Sequence, residues 1–186
     1  MCSFEGKGAV RTRGEFLKII FSKASICYNF RLYMSSYVFK SIIGNVEVVA
    51  FNKKVTSVRL TRKKTTITKD KLLLRAAMQI NGFLMRKRRS LTFPTRKMGT
   101  RFQRRVWDYL RRVPYGRTTS YGQIAKRLKT SPRAVGGALG RNNLMMSVPC
   151  HRVVSQDGKL TGFSSVGGIK TKRKLLNLEK NNKQRN

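Results

Sequence analysis

Acidic residues are scarce in this chain. Of its 186 residues, seven are Asp or Glu against 42 Lys and Arg, which gives a formal net charge of +35. A chain this basic is expected to bind a long polyanion, because each phosphate that it neutralises releases condensed counterions. The charge alone fits both a nucleic-acid-binding protein and a generally basic, ribosomal-type protein.

Cysteine and histidine are scarce as well. The cysteines at positions 2, 27 and 150 are odd in number and widely spaced, which argues against a disulfide framework and favours a reducing compartment. One histidine and no paired cysteines leave no four-ligand zinc site, so no metal is expected. No apolar run approaches the roughly 20 residues of a membrane span, so we expect no membrane partner.

The first half of the chain predicts a small α/β domain. Residues 1–37 show no clear periodicity and are predicted to be an extension of uncertain structure, loosely like an organellar transit peptide in composition. Two β-rich runs at 45–51 and 55–60, joined by a short polar break, predict a hairpin. The apolar spacing over 71–88 predicts a helix.

After Gly99 the pattern becomes helical. Thr100 with Gln103, and again Ser120 with Gln123, have the spacing of a capping box and predict two helix starts. The helix from Ser120 is predicted to run to about residue 128, and a further one over about 132–140. Two short helices joined by a tight turn predict a helix-turn-helix unit.

The second of these two helices has almost only small side chains on one side. Ala134, Gly136, Gly137 and Ala138 fit two interpretations equally well. Small residues permit close helix packing, and they also let a helix backbone approach a bulky partner such as a DNA groove. In the second case Arg133, at the start of the helix, would reach into the duplex.

Cys150 stands directly before His151. A thiol and an imidazole titrate nearest neutral pH, and together they make a nucleophile with its own base. On an extended strand the two side chains would point opposite ways, so their cooperation needs a turned backbone or a bridging water. Asp157-Gly158 between β-type runs predicts a hairpin here, followed by a last helix and a polar tail over 181–186.

A series of segments then makes the chain recognisable. It resembles the 6-O-alkylguanine-DNA alkyltransferases, also called methylated-DNA–protein-cysteine methyltransferases. The resemblance is strong over 99–179, weak over 42–97 and absent over 1–37. It rests on the segments GTRFQRRVW (99–107), PYGRTTSYGQIA (114–125), RAVGG (133–137), GRN (140–142), PCHRVV (149–154) and LLNLE (175–179).

The resemblance implies an α+β fold with two domains. Residues 38–97 would form a ribonuclease-H-like N-terminal α/β domain. Residues 98–180 would form a mainly helical DNA-binding and alkyl-transfer domain, which holds the helix-turn-helix and the active-site cysteine. The implied partner is double-stranded DNA containing alkylated guanine, bound by a monomer in the cytoplasm, or in the nucleus of a eukaryote.

The implied activity is direct reversal of DNA damage. An alkyl group would move from 6-O-alkylguanine, with 4-O-alkylthymine as a second candidate, to Cys150 after the base is flipped out of the duplex. Each molecule would act once and would need no cofactor. His151 would be the general base, acting through a water; Glu179 would orient the imidazole, and Asn142 would brace the turn.

Further positions match residues that handle DNA in the family. Tyr121 would help to rotate the nucleotide, and Arg133 would fill the place that the base leaves. The second helix of the pair, which carries Arg133 at its start, would lie in the minor groove, where its small side chains let it approach. The remaining matched positions are Ala134 and Gly137 on that helix, Val153 beside the guanine edge, and Ser164, Ser165 and Lys172 near the departing oxygen.

The chain departs from the family pattern in several places. The link between Tyr121 and Arg133 is shorter than expected, the 162–168 loop is longer, and Asn143 and Met145 replace prolines beside the pocket. The alternatives are a non-catalytic relative that binds alkylated DNA, a basic helix-turn-helix module and a thiol hydrolase. The first of these carries tryptophan at the acceptor position, so Cys150 argues against it.

Overall fold

The computed structural model describes residues 34–96 and 98–180. Its N-terminal part is a three-stranded sheet in the order β1-β2-β3. The strands are β1 (Met34–Ser41), β2 (Gly44–Phe51) and β3 (Lys54–Leu60). Strands β2 and β3 are antiparallel with Phe51 opposite Lys54, and both turn residues between them have positive φ angles of 47° and 56°. This turn suits the right-handed twist of the strands, and it confirms the predicted hairpin.

Strand β1 was not predicted. It begins at Met34, inside the segment expected to be an extension of uncertain structure. Val38 and Phe39 are its buried apolar residues, and because they are adjacent they break the alternation that identifies a strand. The rest of that extension and the 181–186 tail lie outside the described residues.

Helix α1 (Lys71–Leu84) packs its apolar face on the sheet. Asp70 caps its start by accepting hydrogen bonds from the amides of Leu72 and Leu73. The helix is shorter than the predicted 71–88. Arg86 has a left-handed φ of 62°, which ends the helix in spite of the continuing pattern.

Three helices follow and confirm the predicted order. They are α2 (Arg101–Arg111), α3 (Tyr121–Leu128) and α4 (Pro132–Gly140). Both predicted capping boxes are formed, at Thr100 and at Ser120. Lys129 adopts a left-handed conformation with φ of 52° between α3 and α4, and this tight turn completes the helix-turn-helix.

The hairpin predicted around Asp157-Gly158 is wrong. The chain does turn, since the amide of Ser155 donates to the Lys159 carbonyl at 3.0 Å, but residues 159–163 form no strand. Strand β5 (Val153–Val154) instead pairs in parallel with β4 (Thr119–Ser120). The partner strand lies before the active-site segment in sequence, and local turn signals cannot reveal it. The last helix is α5 (Gly168–Lys180).

The sheet is bonded to the segment that carries Cys150. The amide of Val58 on β3 donates to the Asn143 carbonyl at 2.7 Å, and the amide of Met145 donates to the Val58 carbonyl at 3.1 Å. The α+β fold is confirmed, while the division into domains at 38–97 and 98–180 stays a prediction. In the described part of the chain, no helix is long and apolar enough to cross a membrane.

Gly99 offers a test of how the helical part is held. Its φ is +85°, and a Cβ added there would lie 2.7 Å from the Trp107 ring, whose Nε1 donates to the Ala138 carbonyl at 2.9 Å. We predict that Gly99→Ala lowers the free energy of unfolding by about 2–4 kcal/mol, from left-handed backbone strain plus steric overlap. Urea denaturation measures it.

Gly158→Ala is the matched control. Its φ is +78°, but nothing lies within 4 Å of an added Cβ. It should therefore cost only the backbone strain of about 1–2 kcal/mol. Equal losses in the two variants would show that Trp107 does not constrain Gly99.

Candidate active site

Cys150 opens a 3₁₀ turn, Cys150–Arg152, between Pro149 and β5. The turn is closed by the amide of Arg152, which donates to the Pro149 carbonyl at 3.0 Å. This is the turned backbone that one of the two sequence-based alternatives required. Cys150 is half-buried, whereas the side chain of His151 is fully buried.

Asn142 braces the segment that precedes the turn. Its Nδ2 donates to the Val148 carbonyl at 2.9 Å, and its Oδ1 accepts from the amide of Leu144 at 2.9 Å. The side chain also makes a hydrogen bond with the Cys150 thiol. One amide therefore links the end of the helix-turn-helix to the nucleophile and to the segment before it.

Glu179, near the end of α5, is the acceptor around which the site is assembled. His151 Nε2 lies 2.7 Å from Glu179 Oε1. Arg152 donates to the same carboxylate from Nε at 2.9 Å and from Nη2 at 3.0 Å. The amide of Gly116 donates to it at 2.9 Å. The carboxylate thus joins α5, the Cys150–Arg152 turn and the loop before β4.

The partner of His151 determines which nitrogen carries its proton. A carboxylate only accepts, so Nε2 carries the hydrogen and Nδ1 offers a lone pair. Nδ1 is buried and has no hydrogen-bond partner among the described residues. Nε2 therefore fixes the orientation of the His151 imidazole, while the lone pair of Nδ1 is available to accept a proton.

The pKa values of both members of the pair are lowered. Burial raises the pKa of Glu179, but the hydrogen bonds and charges of His151 and Arg152 outweigh it and lower this pKa from 4.5 to about 2. Burial lowers the pKa of His151, and Glu179 opposes that shift. At neutral pH a charged carboxylate therefore faces a neutral imidazole. Because the pKa of Glu179 is depressed, its stabilisation is complete above its ordinary pKa of 4.5 and is lost as pH falls towards 2.

The thiol is not activated before the reaction begins. Burial raises the pKa of Cys150, while the Asn142 hydrogen bond and the positive charge of Lys172 act in the opposite direction. Lys172 is itself fully buried, with Nζ donating to the Thr161 carbonyl at 2.7 Å. A thiol held protonated at neutral pH needs a base, because the thiolate is the nucleophile.

Two cavities meet at Cys150. The larger has a volume of about 600 Å³ and contains Tyr121 and Arg133 in its wall. The smaller has a volume of about 190 Å³ and is lined by Asn143, Met145 and neighbouring residues. Gly140, Phe163 and Ser164 line both cavities. The larger volume is typical of a small-molecule pocket.

The helix-turn-helix supplies the wall of the larger cavity. Tyr121 is half-buried, and its ring lies 5.9 Å from Lys172 Nζ. Arg133 is exposed at the start of α4. Ala134 is half-buried on the same helix, and Gly137 is exposed with open space around an added Cβ. The open space shows that packing against the described residues does not require glycine at 137.

The other predicted site residues differ in how far they are buried. Val153 is fully buried in β5 and is not among the residues that line the two cavities at Cys150. Ser164 is exposed and Ser165 is half-buried, with Ser165 Oγ donating to Met145 Sδ at 3.4 Å. The longer 162–168 loop thus brings both serines to the wall of the smaller cavity.

Three functional residues were missed by sequence reasoning. Arg152 neutralises Glu179, Gly116 donates to it, and Thr161 holds Lys172 and makes a hydrogen bond with Tyr121. Arg152 was recoverable, since a buried carboxylate needs a cation and Arg152 adjoins His151. No local signal marks Gly116 or Thr161 as a contact. In the described residues no cluster of His, Cys, Asp and Glu is arranged to hold a metal ion.

Comparisons with known proteins agree with this geometry. The family model described as 6-O-methylguanine DNA methyltransferase, DNA binding domain, matches residues 101–181. A Bacillus subtilis protein named inducible methylated-DNA–protein-cysteine methyltransferase is 44% identical over 106 residues, which are 56% of this chain and 58% of that protein. The chain thus spans little more than half the length of this relative.

Two further proteins are matched over most of their length. A Methanosarcina acetivorans methylated-DNA–protein-cysteine methyltransferase is 38% identical over 61% of this chain and 72% of its own. The Mycobacterium tuberculosis protein OGT, solved in complex with DNA, has a TM-score of 0.70 and 37% identity, covering 79% of this chain and 93% of its own. The chain therefore belongs to the O6-methylguanine-DNA methyltransferase family.

Proposed function

We propose that this protein repairs DNA by direct reversal, moving an alkyl group from 6-O-alkylguanine in duplex DNA to Cys150. A second candidate substrate is 4-O-alkylthymine. The observation that carries the proposal is the Cys150–His151–Glu179 arrangement at the junction of two cavities, one of which is bordered by Arg133. The relatives' names and the DNA-bound relative support the same activity.

The proton moves first. Neutral His151 takes the thiol proton at Nδ1, through one water, and becomes an imidazolium. Its Nε2 remains 2.7 Å from the Glu179 carboxylate, which stabilises the new positive charge. Glu179 thus acts as the third group that orients the base of a nucleophile–base pair.

The alkyl group moves next. The thiolate attacks the alkyl carbon, so an S–C bond forms while the bond from that carbon to the guanine oxygen breaks. The oxygen keeps the electron pair, and the guanine accepts a proton to become the normal base. Lys172, whose positive charge acts on Cys150, and Tyr121, which borders the larger cavity, would stabilise the departing charge. The thioether on Cys150 is stable, so each molecule acts once.

The helix-turn-helix delivers the base. We propose that α4 enters the minor groove of duplex DNA, that Arg133 replaces the flipped nucleotide in the stack, and that the base enters the larger cavity beside Tyr121. Inserting a side chain offsets an unstacking cost of a few kcal/mol. The protein would act as a monomer, in the cytoplasm or nucleus. A pure binding module would not need a thiol at this junction.

Mass spectrometry tests the transfer directly. Incubated with a duplex bearing 6-O-methylguanine, the protein should gain one methyl group, and peptide mapping should place it on Cys150. The yield should be one per molecule, and Cys150→Ala should gain none. Repeated turnover, or a methyl group on Cys2 or Cys27, would contradict the proposal.

Arg133→Ala tests base flipping separately from chemistry. We predict a loss of about 10- to 100-fold in the repair rate on duplex DNA, because the flipped state loses a replacement contact worth about 1–3 kcal/mol. Reaction with the free modified base should change less than about threefold, since it needs no flipping. Rates are measured by single-turnover transfer of a labelled alkyl group.

The matched control is Arg75→Ala, which removes one exposed cation from α1. It should leave both rates nearly unchanged. An equal loss on duplex and free base in Arg133→Ala would assign Arg133 a structural role instead.

A further inference from the structure

A second basic surface lies away from Cys150. It is a groove of about 900 Å³ bordered by the end of α2, the 112–119 loop and α3. We call it the basic groove. The cations that line it are Arg112, Arg117, Lys126, Arg127 and Lys129. All five are exposed, and no acidic residue lines the groove.

The basic groove is separate from the lesion site. Helix α3 turns by about 100° per residue, which places Gln123, Lys126 and Arg127 on the side opposite Tyr121. Tyr121 borders the larger cavity at Cys150, whereas the other three line the groove. No residue of the groove lines either cavity at Cys150.

The charges in the basic groove are not neutralised by acidic side chains of the described residues. None of the five forms an ion pair with an acidic residue in the described part of the chain. Helix C-termini favour cations by about 0.3–1 kcal/mol, which accounts for Lys126 and Arg127 in the last turn of α3. Arg117 lies in the loop, where no helix end attracts it. An unneutralised concave cluster focuses positive potential and favours an anionic ligand.

The shape and polar lining fit a phosphate backbone. The exposed hydroxyl of Thr118 lies in the groove beside the cations. Hydroxyl, Lys and Arg donors are the groups that contact phosphate oxygens without reading sequence. A groove of about 900 Å³ lined by five cations suits a chain of phosphates better than a single small anion.

We propose that the basic groove binds the backbone of a second duplex DNA segment while α4 holds the first. The protein then bridges two segments, and release from one leaves it bound to the other. This activity goes beyond alkyl transfer, and it assigns a function to part of the excess positive charge.

A bead assay tests the bridging with the full chain. Cys150→Ala protein is loaded on an immobilised duplex bearing 6-O-methylguanine, and a fluorescent undamaged duplex is then added. Arg112→Gln, Arg117→Gln and Lys126→Gln together should reduce capture of the second duplex at least tenfold. Removing three phosphate contacts should also lower the slope of log affinity against log salt by about 2–3.

The matched control removes the same charge elsewhere, by Arg62→Gln, Lys64→Gln and Arg75→Gln, all of which are exposed. It should change capture by less than about twofold. With Cys150 intact, both triple variants should transfer a methyl group from a short duplex at the parent rate. Equal loss of capture in the two triples would overturn the proposal, and so would slower methyl transfer in the groove triple alone.

The amount of protein bound to the immobilised duplex is quantified separately. The same bead assay is repeated with an undamaged duplex on the beads, so that it measures bridging between two undamaged duplexes. A failure of lesion binding is thereby distinguished from a failure of the groove. Capture that does not depend on the groove cations in either format contradicts the second site.

Discussion

The buried Glu179 carboxylate is the interaction on which the site depends. It receives donors from His151, Arg152 and Gly116, which come from two separate segments of the chain. Without it, the buried imidazole of His151 would lose its acceptor and the buried guanidinium of Arg152 would keep only the Val113 carbonyl. Breaking such a buried pair typically costs about 3–5 kcal/mol. The same contact that stabilises the fold therefore fixes the base beside Cys150.

Local signals in the sequence predicted local structure well. The capping boxes at Thr100 and Ser120 are formed because each depends on residues three apart. The prediction of a hairpin at Asp157-Gly158 was wrong because β5 pairs with β4, and this pairing joins residues that are far apart in sequence. The triad of Cys150, His151 and Glu179 came from resemblance to a family, since 28 residues separate the last two members in sequence. The contacts of Arg152 and Gly116 with Glu179 could be found only in the folded structure.

Charge is distributed to serve two different purposes. Two cations near Cys150 are buried: Arg152 binds Glu179, and Lys172 donates to the Thr161 carbonyl. On the side of α3 opposite Tyr121 the cations are exposed, and none forms an ion pair within 34–96 and 98–180. Buried charges orient the chemistry because a low dielectric strengthens them, while exposed charges act over distance and respond to salt. The cations that produce the net charge of +35 thus have two separate physical roles.

The central claim is that Glu179 makes His151 a base for a thiol whose pKa is raised by burial. The most direct test is the pH dependence of single-turnover methyl transfer in Glu179→Gln, with His151→Gln as a second variant that keeps the Glu179–Arg152 pair. Both should lose about 100-fold or more at neutral pH and recover as rising pH ionises the thiol without a base. Rates that are unchanged at neutral pH, or lowered equally at every pH, would contradict the account.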